Sequence, residues 1–475
     1  MSTETRTIAG AQADLRAGRV TATELIEESI ARADALDEAV GVYLHRFDEQ
    51  ARAAAAEVDA RVAAGGELRP LDGIPIGMKD IVSMADGPTT AQSLVLDTAW
   101  GERTGDAEVV RRLRGAGAII TGKVTTMEFA VGLPDPTKPF PVPHNAWDLD
   151  YWAGGSSSGS GSGVALGMFL GAVGTDTAGS IRIPSAFNGV SGLKATFGRV
   201  PKSGVVPLGY TLDHIGPMAR SARDAAIMLQ AMAGADASDP YTADVPVPDY
   251  LAALERGVAG MRIGVDRFEP YRAAGFDPNQ PELFEAALRV LEEAGATIVD
   301  VTLPRYAELT AVDLVVMCSE ALAYHAPDVR SRYHDYGQGI RVLLAGSGSL
   351  TGADYVQAQR VRRVGQAEVD EVLRSVDAVV TPTSHLGAPR LDEVSGLEPF
   401  AALGSLHTPY WNALGVPSLA VPIGLASTGL PLSMTISAPA WAESAVLAVG
   451  DAFQGATDFH LAETPLVRAL APQPA

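Results

Sequence analysis

The chain has 475 residues, of which 47% are hydrophobic and 20% are charged, and its formal net charge is −21. Because no Pro/Ser-rich linker or block of charge divides this large apolar content, we expect a single domain over 1–475. The negative charge opposes phosphate backbones, so we expect no nucleic-acid partner, and a single cysteine, Cys318, excludes an intrachain disulfide.

Helical and strand patterns alternate along the chain. A capping box from Thr21 to Glu24 opens a predicted helix over 21–36, and a second helix over 48–66 ends in two glycines, so residues 1 to about 66 form a predicted helical segment. Later units have the same character: helix 106–117 before strand 118–122, helix 281–295 before strand 296–301, and a buried strand over 377–383. This alternation predicts an α/β fold.

The N-terminal stretch 1–18 lacks the apolar region of a secretory signal peptide. The longest apolar run, 163–173, is shorter than the roughly 20 residues that a membrane-spanning helix needs. We therefore expect a soluble, cytoplasmic protein with no membrane partner.

Lys79 lies in an otherwise apolar stretch, GIPIGMKDIV at 73–82. A serine hydroxyl is a poor nucleophile until a base takes its proton, and lysine is that base in Ser-Lys hydrolases. A lysine in water keeps its proton up to a pKa of about 10.4, so it must be desolvated to act near neutral pH. The apolar neighbours favour that burial. The alternative is a lysine that caps a strand at the surface.

Two glycine-rich turns carry candidate serines. The sequence GSSSG at 155–159 matches the G-x-S-x-G nucleophile elbow and would make Ser157 the nucleophile, but the preceding stretch lacks the strand that an elbow requires. In the second turn, Thr177, Ala178, Gly179 and Ser180 separate a predicted strand from a predicted helix. Small residues there let backbone N–H groups converge beside the Ser180 hydroxyl, which is the arrangement of a main-chain oxyanion hole.

Together these segments resemble the amidase signature family. The family motif G-G-S-S-G-G-S appears as GGSSSGS at 154–160, and G-[ST]-D-x-G-G-S-[IV]-R appears as GTDTAGSIR at 174–182. The resemblance implies a large mixed β-sheet wrapped by many α-helices. It also implies a Ser-Ser-Lys triad in which Lys79 is the base, Ser156 the bridging serine, whose peptide is cis in the family, and Ser180 the nucleophile.

The resemblance covers most of the chain, roughly Thr21 to Phe459, with several departures. Ser158 and Ala178 stand where glycine is usual, and Thr435 stands where glutamine is frequent. None of them removes the triad, but they weaken any transfer of substrate specificity.

Candidate substrate-binding residues lie close to these motifs. Phe129, Tyr151 and Trp152 predict an apolar aromatic pocket suited to aryl or alkyl amides, and they are equally consistent with core packing. Arg182, two residues after Ser180, would bind a substrate carboxylate or else form a structural salt bridge.

The sequence thus predicts an amidohydrolase of small uncharged amides, with aryl amides, carbamates and esters as candidates, acting through a covalent acyl-enzyme. We expect no metal and no cofactor, since the eight histidines show neither H-E-x-x-H nor a close pair at ligand spacing. The expected partner is a small-molecule amide, and a homodimer is compatible with the sequence.

Two other functions remain open. One is the glutamine-hydrolysing A subunit of a tRNA-dependent amidotransferase, which resembles these enzymes and usually carries G-K-T-N-M-D-E-F and G-S-I-R-Q-P. This chain has GKVTTMEF and GSIRIP instead, so polar residues are lost at both places. The other is a catalytically silent binding protein on the same scaffold, against which the intact Lys79, Ser156 and Ser180 argue.

Overall fold

The computed structural model describes residues 6–394 and 403–470, apart from the side chains of 273 and 274. Within these residues one mixed sheet of 11 strands runs in the order β1-β3-β2-β4-β6-β5-β10-β11-β9-β7-β8. Strands β1 to β11 are, in chain order, Tyr43–Arg46, Pro75–Lys79, Ile119–Val124, Gly171–Asp176, Ser191–Lys194, His214–Ala219, Arg262–Val265, Thr297–Asp300, Ala378–Pro382, Ser418–Leu425 and Pro431–Ser437.

Seventeen α-helices of the described residues surround this sheet, so the predicted large mixed sheet wrapped by helices is confirmed. Helices α1 to α17 are, in chain order, Ile8–Arg16, Ala22–Val40, Asp48–Ala63, Trp100–Thr104, Glu108–Gly115, Ser158–Leu166, Arg182–Asn188, Ala222–Met232, Tyr250–Leu254, Gln280–Glu293, Tyr306–Arg332, Gln338–Ser347, Gly352–Leu373, Leu391–Val394, Thr408–Leu414, Glu443–Gly455 and Pro465–Arg468.

The N-terminal segment differs from the prediction of a purely helical stretch. The capping box of α2 is present, with the Thr21 and Glu24 side chains each bonded to the other's backbone N–H. The helix ends at Val40, the backbone turns left-handed at Gly41, and the Asp37 carboxylate accepts the next two backbone N–H groups. The chain then forms strand β1, which pairs antiparallel with β3. Because this cap ends the helix, the four residues of β1 can pair with the edge of the sheet.

The centre of the sheet positions the functional residues. Every residue of β2, β3 and β4 is buried, which is typical of strands covered on both faces. Strands β2 and β4 run parallel, with Met78 paired to Val173. The carboxyl ends of parallel strands lie at the same edge, so Lys79 at the end of β2 emerges beside Thr175 near the end of β4.

Helix α11 is long enough to raise the question of a membrane. The segment Tyr306–Asp335, most of which is α11, is the one stretch of the described residues that is long and apolar enough to span a bilayer. Half of its most apolar window is buried inside the protein, and the helix packs against α12, α13 and α15. This is the pattern of a core helix.

Candidate active site

Lys79 is fully buried and faces three hydroxyl groups. Its Nζ lies 2.8 Å from Ser156 Oγ, 2.9 Å from Ser157 Oγ and 2.7 Å from Thr175 Oγ1. A protonated amine donates three hydrogen bonds, whereas a neutral amine donates two and offers one lone pair. The three contacts therefore suit both states of Lys79, with one hydroxyl able to donate its proton to the neutral amine.

Burial lowers the pKa of Lys79 from its ordinary value of 10.5 to about 7, although the Asp176 and Asp213 carboxylates act to raise it. Removal from water disfavours the charged ammonium, and no carboxylate bonds to Nζ to reverse the effect among the residues described. Near neutral pH a large share of Lys79 is thus the free base.

Ser157 has a different environment from Ser156. Its hydroxyl donates to the Thr175 carbonyl at 3.2 Å and accepts the Thr175 backbone N–H at 3.2 Å. Since its proton is already engaged, Ser157 can only accept from Lys79. It is also followed by helix α6 without a preceding strand, so the geometry of the nucleophile elbow is absent at this serine.

Ser156 and Ser180 line the same small cavity, of about 50 Å³. The peptide bond between Gly155 and Ser156 is cis. The Ser157 backbone N–H donates to the Ser180 carbonyl at 3.2 Å, which joins the two glycine-rich turns. Ser180 is the one partly exposed residue in its turn, and its hydroxyl has no hydrogen-bond partner among the described residues. It is therefore free to meet a ligand.

The backbone N–H groups of the turn that contains Ser180 fall into two groups, one bonded within the protein and one without an acceptor. Gly179 N–H donates to Asp176 Oδ1 at 2.8 Å, so Gly179, predicted as part of the oxyanion hole, does not direct its N–H into the cavity. The N–H groups of Thr177, Ala178 and Ser180 have no acceptor in the part of the chain described. Gly179 instead supplies a φ of +129°, and a Cβ there would overlap the Thr408 side chain.

Asp176 holds this turn through a fully buried ion pair with Arg182, at 3.0 Å. Burial acts to raise the pKa of Asp176, but the charge and hydrogen bonds of Arg182 hold that pKa well below its usual range. Asn412 Nδ2 also donates to Asp176, at 2.7 Å, and Arg182 in turn donates to the Thr408 carbonyl and to Asn412. Helix α15, far along the chain, thus holds the turn in place through these bonds.

The predicted substrate-binding residues separate into two groups. Trp152 lines the cavity that contains Ser156 and Ser180. Phe129 is buried against His325, 4.5 Å between ring centres, and Tyr151 packs under Arg390 instead. Arg182 is fully buried in its ion pair and does not line the cavity. Of the two roles that the sequence left open for Arg182, the structure supports the structural salt bridge and contradicts the carboxylate anchor.

Sequence reasoning missed four residues that support the site. Thr175 and Asp176 lie inside the segment GTDTAGSIR, and the signal for them was their place at the end of a buried strand. Thr408 and Asn412 gave no such signal, because their partners lie 230 and 236 residues earlier in the chain. Two departures are also explained locally: the Ser158 hydroxyl bonds back to the Gly154 carbonyl, and Thr435 bonds to Thr383 at 2.8 Å.

Known proteins share this architecture over nearly the whole chain. The amidase family model matches residues 24–447. The chain is 37% identical to a protein of Chloroflexus aggregans that is named as the A subunit of glutamyl-tRNA(Gln) amidotransferase, covering 98% of this chain and 99% of that protein.

Solved structures also share this fold over nearly the whole chain. One was described as an unexpected vestigial protein complex that reveals the origins of an s-triazine catabolic enzyme; its TM-score is 0.86 at 31% identity, covering 95% of this chain and 98% of that chain. Another is the peptide amidase of Stenotrophomonas maltophilia, with a TM-score of 0.81 at 31% identity, covering 94% and 96%.

These relatives correct the expected partners. Two relatives are 36% and 37% identical to this chain over 96% and 98% of its length. Their names contain a tRNA and describe each protein as one subunit of an amidotransferase. The expectation of a small molecule as the sole partner, with no nucleic acid, is therefore wrong. Net negative charge alone was an inadequate guide, because a subunit can act in a complex whose other members bind the nucleic acid.

Proposed function

The chain belongs to the amidase (amidase signature) family, whose members cleave amide C–N bonds, and we propose that it hydrolyses small uncharged amides through an acyl-enzyme on Ser180. The observation that carries this proposal is the lining of the cavity above Ser180. Apart from Ser156 and Ser180, its described side chains are apolar, and none is charged.

The proposed reaction uses the contacts around Lys79. Neutral Lys79 takes the Ser156 proton while Ser156 takes the Ser180 proton, and Ser180 Oγ attacks the carbonyl carbon. The resulting oxyanion accepts hydrogen bonds from the free N–H groups of Thr177, Ala178 and Ser180. The proton then returns through Ser156 to the nitrogen, the C–N bond breaks, and the amine leaves. Water attacks the acyl ester by the same proton path and releases the acid.

The apolar lining bears on the choice of substrate. A buried ammonium or carboxylate without a partner costs several kcal/mol, because the lost hydration is not replaced. Glutamine carries both groups, whereas an aryl amide, an alkyl amide or a carbamate carries neither. The described part of the cavity therefore favours uncharged acyl groups.

A second candidate comes from the relatives. Identity of 37% over 98% of the chain to an amidotransferase A subunit favours glutamine hydrolysis within a larger, tRNA-dependent enzyme, and it does so more strongly than it favours a stand-alone amidase. For that function, ammonia from the glutamine amide would be the useful product.

The test compares both substrate classes on the purified chain. We expect turnover of acetanilide, butyramide and ethyl N-phenylcarbamate, no turnover of glutamine, and loss of all activity in Ser180→Ala. A fluorophosphonate should label Ser180, and peptide mass spectrometry identifies the site. Hydrolysis of glutamine without hydrolysis of the uncharged compounds would contradict the proposal and support the second candidate. A label on Ser157 would contradict the assigned nucleophile.

Enzymes of this family are typically soluble, and a cytoplasmic location and a single catalytic domain over 1–475 remain predictions. Gel filtration with light scattering tests the homodimer that the sequence allows.

A further inference from the structure

A second, larger cavity adjoins the site and has no role in the reaction described so far. Its volume is about 420 Å³, compared with about 50 Å³ above Ser180. Ala130 and Leu208 line both cavities, so the two cavities meet at these residues. We call the larger cavity the aromatic chamber, since its lining includes Trp100, Tyr210, Tyr241 and Tyr324.

The two volumes decide which cavity can take a ring. A protein cavity of about 150 Å³ is filled by one benzene molecule. The cavity above Ser180 is about a third of that size, so it suits a short acyl group. The aromatic chamber has ample room for a substituted ring, and Tyr210 and Tyr241 are exposed at its edge.

The chamber lies on the lysine side of the site. Thr175, whose hydroxyl is 2.7 Å from Lys79 Nζ, lines the chamber, and so does Thr177 at the start of the oxyanion turn. In hydrolysis the nitrogen of the leaving amine must receive its proton from the lysine relay. A cavity that reaches the lysine side is therefore placed for the amine half of the substrate.

One charged group in the chamber has hydrogen-bonding capacity left. The Lys202 ammonium donates to the Tyr210 carbonyl at 2.8 Å, and the rings of Phe197 and Tyr241 lie 4.2 and 4.4 Å from it. An ammonium has three N–H groups, so two have no acceptor within the described residues.

The acids of the chamber are already satisfied. Asp213 accepts the Thr177 hydroxyl at 2.6 Å and two backbone N–H groups, and Asp239 accepts the backbone N–H groups of Lys202 and Tyr241. Among the charged groups that line the chamber, Lys202 is thus the one with N–H groups left to donate to a ligand.

We propose that the aromatic chamber binds the amine half of the substrate, an aromatic amine bearing an acceptor oxygen, and that Lys202 determines this specificity by donating to that oxygen. This inference rests on the proposed amide hydrolysis and adds the class of leaving group. The C–N bond breaks as described, the amine nitrogen gains one proton from the relay, and the aromatic amine departs through the chamber.

The test uses three substrates with one acyl group: acetanilide, 4-acetamidobenzamide and 4-acetamidobenzoate. Only the last two place an acceptor oxygen on the ring. In Lys202→Met we expect kcat/KM for these two to fall about tenfold or more, the effect of one hydrogen bond to a charged group, while kcat/KM for acetanilide changes less than threefold. Comparing enzyme variants on each substrate cancels the electronic effect of the ring substituent.

The matched control is Lys138→Met, the same change at a lysine that bonds to the Asp335 carbonyl and lines neither cavity. It should leave all three values unchanged. Equal losses on all three substrates in Lys202→Met, or no loss on any, would overturn the role of Lys202.

A binding measurement separates this inference from the proposed function. Calorimetric titration of Ser180→Ala with 4-aminobenzoate should show binding that Lys202→Met, introduced into the same background, weakens about tenfold or more. Absence of that binding overturns the chamber assignment even if amides are hydrolysed. Binding without any amide hydrolysis by the wild-type chain supports the chamber and refutes the proposed function.

Discussion

Replacing Thr175 with valine tests whether its hydroxyl helps to set the pKa of Lys79. The change keeps the branched shape of the side chain and removes one acceptor 2.7 Å from Nζ. Protonated Lys79 uses all three hydroxyl partners, whereas the neutral amine needs only two acceptors. The valine therefore destabilises the protonated form more than the neutral form, and the pKa should fall.

The expected size follows from the strength of one bond. A hydrogen bond to a charged group contributes about 1.5 to 3 kcal/mol, and one pKa unit corresponds to about 1.4 kcal/mol. Starting from about 7, the pKa of Lys79 should fall by about 1 to 2 units in Thr175→Val.

The assay is the pH dependence of kcat/KM for acetanilide, which reports ionisations of the free enzyme. For the wild type, the rate should rise with pH through about 7 and then level off. For Thr175→Val, the whole rise should move to lower pH. Thr381→Val is the matched control, because Thr381 is buried on β9 and its hydroxyl has no partner among the described residues. An unchanged or raised midpoint in Thr175→Val would refute the assignment of Lys79 as the base whose hydrogen bonds set the profile.

Three further predictions concern the buried charges and the turn. Lys79→Met should be inactive. Because the pKa of Lys79 is about 7 in the folded protein and near 10.5 in the unfolded chain, burying this lysine costs about 4 kcal/mol at pH 7. That cost fades as pH rises from 7 to 10.5, so urea unfolding should show wild-type stability rising relative to Lys79→Met across that window, and a constant difference would contradict it. Asp176→Asn leaves the Arg182 charge without its ion pair and should lower the free energy of unfolding by about 3 to 5 kcal/mol in the same assay. An unchanged urea midpoint would contradict this prediction. Gly179→Ala should displace the N–H donors of the turn and reduce kcat/KM about a hundredfold or more, the effect of losing one oxyanion donor. Gly257→Ala, also at positive φ but with open space at its Cβ, should not reduce kcat/KM, and equal effects of the two changes would count against a role for the turn geometry.

The local parts of this site were predictable from sequence, and the long-range parts were not. Lys79, Ser156 and Ser180 each lie in a short segment whose composition already suggests its environment, and the structure brings those segments together. The pairing of Asp176 with Asn412 depends instead on where the tertiary fold places α15 relative to the end of β4, and no periodicity within either segment encodes that contact.

The same limit applies to the fold and the pocket. Residues 43–46 became an edge strand because a cap ends α2 and β3 offers a free edge, which is a tertiary effect that the helical pattern on either side concealed. Phe129 and Tyr151 were equally suited to core and pocket by composition. Only their packing, against His325 and Arg390, places them outside the cavity.

The strand order also has a consequence for synthesis on the ribosome. Strands β1 to β6 form one half of the sheet, and β7 to β9 form the other, but β10 and β11 lie between the halves and are made last. Until they insert, β5 and β9 each present a bare edge, and the half of the sheet that carries the Ser180 turn is not joined to the half formed by β7 to β9. A chain truncated before Ser418 should therefore be inactive and prone to pair with other nascent chains through those edges. Catalytic competence therefore depends on strands that are made late in synthesis.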